Sequence, residues 1–274
     1  MAFCLTFSES KDCPLKGSEN SHVQPKTTAL KKVIQVIYTA WVGILFVTFM
    51  ILALPFVLFP LLISDRLGVI SFFFVRCWVY CAFIPSFIFF RTHHKHLVDR
   101  KKSYIFVINH TSFLDAPAIP MAIPLQLRAL GKKELRQIPI FGIVTRRLAV
   151  WVDRSDQESR KRSIEGLVRI LNKGISILVA PEGTRNETEA PLLPFYNGPF
   201  RLAIETGIPI MPLIIHDAKK LMPKGQLGLR PGTIHNYFLP EIETKGMTEN
   251  DLPDLKKQVY DLMEKKVIDL NNKV

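Results

Sequence analysis

The 274-residue sequence holds four cysteines and no Cys-x-x-Cys pair. Cys4 and Cys13 lie in a polar N-terminal stretch, and Cys77 and Cys81 are spaced like neighbours on one helical face inside an apolar run. Neither a disulfide framework nor a metal site follows from that arrangement, and all four read as free thiols in a reducing compartment. A Gly-x4-Gly-Lys-Ser/Thr loop is missing, which disfavours nucleotide-dependent chemistry of the P-loop kind. So is a Gly-x-Ser-x-Gly elbow, which leaves a serine hydrolase without its nucleophile. Internal repeats are absent. The first 30 residues lack the early apolar core of a cleaved signal peptide, and their mix of Pro, Ser, Lys and Glu predicts a flexible polar tail over residues 1–30. Charge is absent from one long segment: Val33 to Ile63 contains none.

That uncharged segment is 31 residues long, and about 20 apolar residues suffice to span a bilayer core. Pro55 and Pro60 should bend or end its helix. After Ser64-Asp65-Arg66 a second apolar run extends from Val69 to Phe90, with a kink expected at Pro85. Arg76 interrupts it, and an Arg at mid-bilayer costs about 2.5–3.5 kcal/mol on insertion scales. This run is therefore expected to lie shallow, with Arg76 reaching head groups. Lys26, Lys31 and Lys32 precede the first run, and Arg91, Lys95, Arg100, Lys101 and Lys102 follow the second. Positive residues at both ends predict that both ends lie on the cytoplasmic face. The reading is a membrane-embedded helical hairpin over residues 31–92, as two spans or as a re-entrant pair. The histidines of Arg91-Thr92-His93-His94-Lys95-His96 read as part of an interfacial basic collar, since further metal ligands are not evident.

From about residue 93 the texture changes to short β-rich runs alternating with helical stretches. Ser103–Ile108, Leu148–Val152, Ser176–Ala180 and Ile210–Ile215 read as buried strands. Ser155–Asn172 reads as a helix with Ser155 as N-cap and Gly174 past its end, and Asn197–Thr206 as another, stopped by Gly207. A last amphipathic helix from about Thr248 carries Leu252, Leu255, Val259, Leu262 and Val267 as its apolar stripe. The fold class is thus α/β: a largely parallel sheet flanked by helices over residues 93–274, preceded by the helical hairpin.

Two constellations fall at carboxyl ends of expected strands, where open α/β sheets bind ligands. Asn109-His110-Thr111-Ser112-Phe113-Leu114-Asp115 follows the first strand. A continuous helix would not aim residues five apart at one point, but a loop turning into a helix can, and Pro117 suits that helix's first turn. A carboxylate on one imidazole nitrogen would fix the tautomer and leave the other nitrogen as a base. A capping Asp beside a satisfied core His fits the same spacing. Thr111 and Ser112 read as turn or capping residues. Ala180-Pro181-Glu182-Gly183-Thr184-Arg185-Asn186 follows the strand at 176–180. There Gly183 allows close backbone approach to a ligand, Arg185 offers a fork of donors suited to phosphate, and Glu182 could hold Arg185 or contact an acceptor. A surface turn with a solvated Arg is the plain alternative. The chain's net charge is +12, and Arg128 to Arg162 contributes +6 of it from ten basic and four acidic residues. Such a run is most often a solvated face.

Together these pieces resemble the glycerolipid acyltransferase family, in particular its 1-acylglycerol-3-phosphate acyltransferases. The His-x4-Asp motif matches at His110 to Asp115. A second block matches at Gly131-Lys132-Lys133-Glu134-Leu135, Ile138 to Gly142 and Val152-Asp153-Arg154. Glu-Gly-Thr-Arg matches at Glu182 to Arg185, and a fourth block at Gly207 to Pro212. The four stand in the family's order between residues 100 and 220. The resemblance implies His110 as general base oriented by Asp115. It implies an acceptor-binding set of Lys132, Arg154, Glu182, Gly183, Thr184 and Arg185. The implied activity moves a fatty acyl group from a thioester, on coenzyme A or acyl carrier protein, to the free hydroxyl of a lysophospholipid, 1-acylglycerol 3-phosphate foremost. Backbone N–H groups near the motif are expected to stabilise the oxyanion. Neither cofactor nor metal is implied, and nucleic acid is not an expected partner. Other acceptors (glycerol 3-phosphate, another lysolipid, an amino-acid lipid) and a non-catalytic basic protein of the membrane surface remain as alternatives.

Overall fold

The computed structural model describes residues 26–132, 148–152, 157–223 and 228–273, the side chains of 26–29, 131–132, 151–152 and 157–163 excepted. Most of the expected tail and Ser155 lie outside them. Helix α1 (Lys26–Ile63) and helix α2 (Gly68–Phe83) form the hairpin, joined by a 3-10 turn at Asp65–Leu67. Pro55 and Pro60 both sit inside α1 and neither ends it. In an apolar helix of this length the remaining backbone bonds and neighbouring helix carry the chain past them. The second apolar run is not one helix: α2 stops at Phe83, Pro85 lies in a 3-10 turn, and Ile88–His93 is strand β1. The end of the expected hairpin thus enters the sheet.

Val42, Met50, Val57 and Leu61 make the buried stripe of α1, while Val36, Ile44, Leu52, Phe59 and many other apolar residues are exposed. The Trp78 indole donates to the carbonyl of Phe46 at 2.9 Å, and its ring lies 4.7 Å from that of Phe46. Arg76 does not reach outward. Its guanidinium donates to Pro120 O at 2.9 Å and Ile123 O at 2.8 Å, carbonyls at the end of helix α3 (Asp115–Ala122). Orphan carbonyls at a helix end are natural acceptors for a cation, which satisfies Arg76 without lipid head groups. At the hairpin's tip, Asp65 accepts from Lys173 at 2.5 Å and lies 3.5 Å from Arg128. The tip therefore rests on the α/β part of the chain. Both helices are long and apolar enough to cross a membrane when the flanking turns of α2 are counted.

Among the described residues seven strands form one sheet: β1, β2 (Ile105–Ile108), β3 (Leu127–Lys132), β4 (Ala149–Val152), β5 (Ser176–Val179), β6 (Ile210–His216) and β7 (Gly232–Phe238). The order is β1-β7-β6-β2-β5-β3-β4. Pairing is parallel except between β6 and β7. Helices α4 (Gln157–Asn172), α5 (Gly198–Thr206), α6 (Ala218–Leu221) and α7 (Leu252–Asn271) complete the fold. The central strands are buried on both faces, and their residues alternate between two cores. Phe106, Ile108, Leu178 and Met211 pack with the hairpin and α3, whereas Ile105, Val107, Ile177 and Val179 pack with α4, α5 and α7. Parallel strands covered on both sides read as unbroken apolar runs, which is why β2, β5 and β6 are visible in the sequence. On α7 the fully buried residue between Val259 and Val267 is Met263, with Leu262 only partly buried.

Candidate active site

The site is built where β2 and β5 end side by side. Asn109 closes the neighbouring β2–β6 seam: its amide donates to Ile215 O at 3.0 Å and accepts from Ile215 N at 2.8 Å. The chain then turns through Thr111 and Ser112 into α3, whose first residue is Asp115. Asp115 is 1% exposed, and its Oδ2 accepts three hydrogen bonds: from Thr111 N at 2.7 Å, Ser112 N at 2.9 Å and His110 Nδ1 at 2.7 Å. Two backbone N–H groups already donate to that oxygen, so the hydrogen-bond pattern assigns the proton of the imidazole contact to Nδ1. That leaves Nε2 as the lone-pair nitrogen. It has no partner among the described residues, and the side chain is 33% exposed. Of the two readings the spacing left open, the geometry favours an oriented base over a satisfied core histidine. The aspartate does cap the helix, and it does so with the oxygen that also holds the imidazole.

The loop after β5 braces this turn. Glu182 is 3% exposed; its Oε1 accepts from His110 N at 3.0 Å and its Oε2 from Leu193 N at 2.9 Å. Asn186 N donates back to His110 O at 2.6 Å. Glu182 thus spends its carboxylate on backbone N–H groups and does not hold Arg185. Each of its oxygens accepts from a backbone N–H, and it sets the height of the His110 loop. Burial pushes its carboxyl above the ordinary range, opposed by the N–H groups of Leu193 and His110. Gly183 has φ 72°, a left-handed conformation that a side chain would strain. Thr184 is exposed. Arg185 is half-buried, with its guanidinium carbon 3.9 Å above the Phe113 ring and Nη2 4.0 Å from Glu187. Phe113, itself 60% exposed, belongs to the His110 loop, so this stack puts the cation beside the imidazole's loop.

Sequence reasoning missed three contributors: Phe113, Asn109 as the seam lock, and Leu193 as a partner of Glu182. Only Phe113 left a signal, an aromatic in a polar turn. The Thr111 and Ser112 N–H groups, natural oxyanion donors by position, are both committed to Asp115. Lys132 ends β3, but its side chain lies outside the described residues, as does all of Arg154. Arg128, counted in the basic run, is 4% exposed and turned to Asp65 rather than solvated. Among the described residues no group of three or more His, Cys, Asp or Glu could hold a metal ion. His93 instead pairs with His235 of β7 at 3.1 Å.

Residues 89–216 match the family described as Acyltransferase. A 1-acyl-sn-glycerol-3-phosphate acyltransferase of Haemophilus influenzae is 30% identical over 190 residues, which cover 67% of this chain and 77% of that protein. One from Limnanthes douglasii is 32% identical over 164 residues, 59% of this chain; the match spans 58% of the plant protein's length. The crystal structure of the 1-acyl-sn-glycerophosphate acyltransferase of Thermotoga maritima superposes with a TM-score of 0.75 at 23% identity, over 88% of this chain and 97% of that one.

Proposed function

This chain belongs to the acyltransferase family that includes the 1-acyl-sn-glycerol-3-phosphate acyltransferases, and from that premise we propose that it acylates the free hydroxyl of 1-acylglycerol 3-phosphate to give phosphatidic acid. The observation that carries this reading is the His110–Asp115 pair, 2.7 Å apart, with the carboxylate buried and the far imidazole nitrogen open. An alcohol is a poor nucleophile at neutral pH, while a thioester is already activated. What is needed is proton removal and placement, worth on the order of 10²–10⁴-fold for the base alone. His110 Nε2 takes the hydroxyl proton as the oxygen attacks the thioester carbonyl carbon. The C–S bond then breaks, and the departing thiolate takes up a proton. Neither cofactor nor metal enters this scheme, and no acyl-enzyme is required.

Arg185, stacked on Phe113, grips the acceptor's phosphate, with Lys132 and Arg154 as further cations of the same role. The donor is an acyl thioester on coenzyme A or acyl carrier protein. The hairpin supports a membrane-bound enzyme whose catalytic part sits on the cytoplasmic face. The hairpin's tip rests on Arg128 and Lys173, a contact with the α/β part of the chain that favours a re-entrant hairpin over two spans. Either arrangement returns the chain to the same face, so labelling at Lys31 and Lys102 should report one side. The activity test uses the full chain in micelles with both donor types and a panel of lysolipid acceptors, read by mass spectrometry. Acylation of a phosphate-free acceptor as fast as lysophosphatidic acid would rule out the assigned acceptor.

A further inference from the structure

Beside the catalytic loop, above the carboxyl ends of β2 and β6, lies a cavity of about 770 Å³. Asn109 and Thr111, the residues on either side of His110, line it, and so do Lys219, Lys220 and Arg230. Arg185 and Phe113 do not, so this is a different surface from the one assigned to the acceptor's phosphate. Its cations are held in place. Lys219 Nζ donates to Thr188 O at 2.8 Å and stands 3.6 Å from Glu189, whose side chain is fully exposed. Lys220 Nζ is 2.8 Å from Asp217, a carboxylate shared with His216. Arg230 donates its backbone N–H to Leu221 O at 2.8 Å, which ties it to α6. Its guanidinium has no carboxylate partner among the described residues. Two carboxylates against three cations leave the wall net positive, and a volume of this order suits a small molecule.

We propose that this cavity takes the phosphate-bearing end of a coenzyme A thioester. Lys219, Lys220 and Arg230 contact its phosphates, and the pantetheine arm runs past Thr111 to bring the thioester to His110. The inference rests on the acyl-transfer reading and extends it by naming the donor class and its residues. A planar guanidinium and two ammonium groups match a diphosphate and a phosphomonoester better than they match any neutral group. A folded acyl carrier protein would instead need a broad basic surface, with only its phosphopantetheine arm entering. Placing the donor here and the acceptor's phosphate at Arg185 lets the two substrates approach His110 without sharing cations. No such division follows from the four sequence motifs, because Lys219, Lys220 and Arg230 lie outside them all.

The test compares two donors carrying the same acyl group, one on coenzyme A and one on pantetheine alone, with the full chain in mixed micelles. Replacing Lys220→Ala and Arg230→Ala together should raise both KM for the coenzyme A thioester and Kd for free coenzyme A, measured by calorimetry, about tenfold. KM for the lysophospholipid and turnover with the pantetheine thioester should stay within about a factor of two. Arg230→Lys, which keeps the charge, should recover part of the affinity and guards against a folding defect. Equal losses with both donors, a raised KM for the lysophospholipid, or unchanged coenzyme A affinity would overturn the assignment. Turnover with acyl carrier protein alone as donor would overturn it too. If coenzyme A binds, the variant weakens it, and no donor gives transfer, the acyl-transfer reading fails and the binding site stands.

Discussion

His110 at the end of β2 and His216 at the end of β6 each lean on an aspartate, at 2.7 and 2.9 Å. The strands are neighbours and run parallel. By distance alone the two pairs are alike, and their surroundings separate them. Asp115 is buried and pinned by two backbone N–H groups, whereas Asp217 is 19% exposed and shared with Lys220. His110 keeps its second nitrogen open, while His216 spends its own on Asn271 at 3.2 Å and is only 11% exposed. A base needs a fixed carboxylate behind it and an unspent lone pair in front. One pair has both, and the other is a tie between β6 and α7.

The largest expected effect tests that contrast directly. His110→Ala should lower kcat on the order of 10²–10⁴-fold with membrane binding intact, whereas His216→Asn should change it only a few-fold. Equal losses in a steady-state assay would mean that the distinction drawn from hydrogen bonding is wrong. Asp115→Asn comes next, with a loss on the order of 10²-fold or more as the imidazole takes the other tautomer. Asp217→Asn keeps a side chain that tolerates φ 70° and should cost under about 1 kcal/mol of stability, read as a thermal shift. Arg185→Ala should raise KM for the phosphorylated acceptor about tenfold and spare KM for the donor. Arg185→Lys should still impair, since it keeps the charge and loses the fork.

The smallest effect is a difference in pH response between two carboxylates near the same loops. Burial raises the Glu182 carboxyl from its ordinary 4.5, so the folded chain binds its proton more readily than the unfolded chain. That contribution is fully present below 4.5 and is lost as pH rises through the raised value. For Asp217, burial acts upward, but Lys220 and His216 outweigh it and hold the carboxyl below its ordinary 3.8. Its contribution is present above 3.8 and is lost as pH falls through the lowered value. Unfolding midpoints measured against pH should lose slope above 4.5 in Glu182→Gln and below 3.8 in Asp217→Asn. The reverse assignment of slopes would contradict the dominance of burial at Glu182 and of the Lys220 and His216 partners at Asp217.

Strands β2, β4, β5 and β6 were legible within two residues because each is a short apolar run bounded by turn residues. Strand β1 was hidden: Phe89-Phe90 continue an apolar stretch that reads as membrane helix, and pairing of Ile88 to His93 with Gly232 to Tyr237 decides otherwise. Strand β7 alternates buried and half-buried residues with His235 and Asn236 among them, a weak pattern next to its neighbours. Strand β3 contains Arg128, whose burial against the hairpin tip leaves no mark on local periodicity.

The sequence by itself determined which residue types stand in the motifs and where along their elements they fall. His110 and Asp115 straddle a strand-to-helix turn, and Glu182 to Arg185 follow the next-paired strand. Those facts depend on local pattern and residue type. Only the tertiary structure decided what the residues do to one another. Glu182 reaches His110 across 72 positions, and Asn109 reaches Ile215 across 106. The first bond turns an apparent ligand residue into the brace of the His110 loop, and the second sets the end of β6, which leads into α6 and its lysines, beside it. Hydrophobic periodicity records which face of an element is buried. It carries no record of which distant backbone N–H will meet a buried carboxylate, because that is settled by the packing of the sheet.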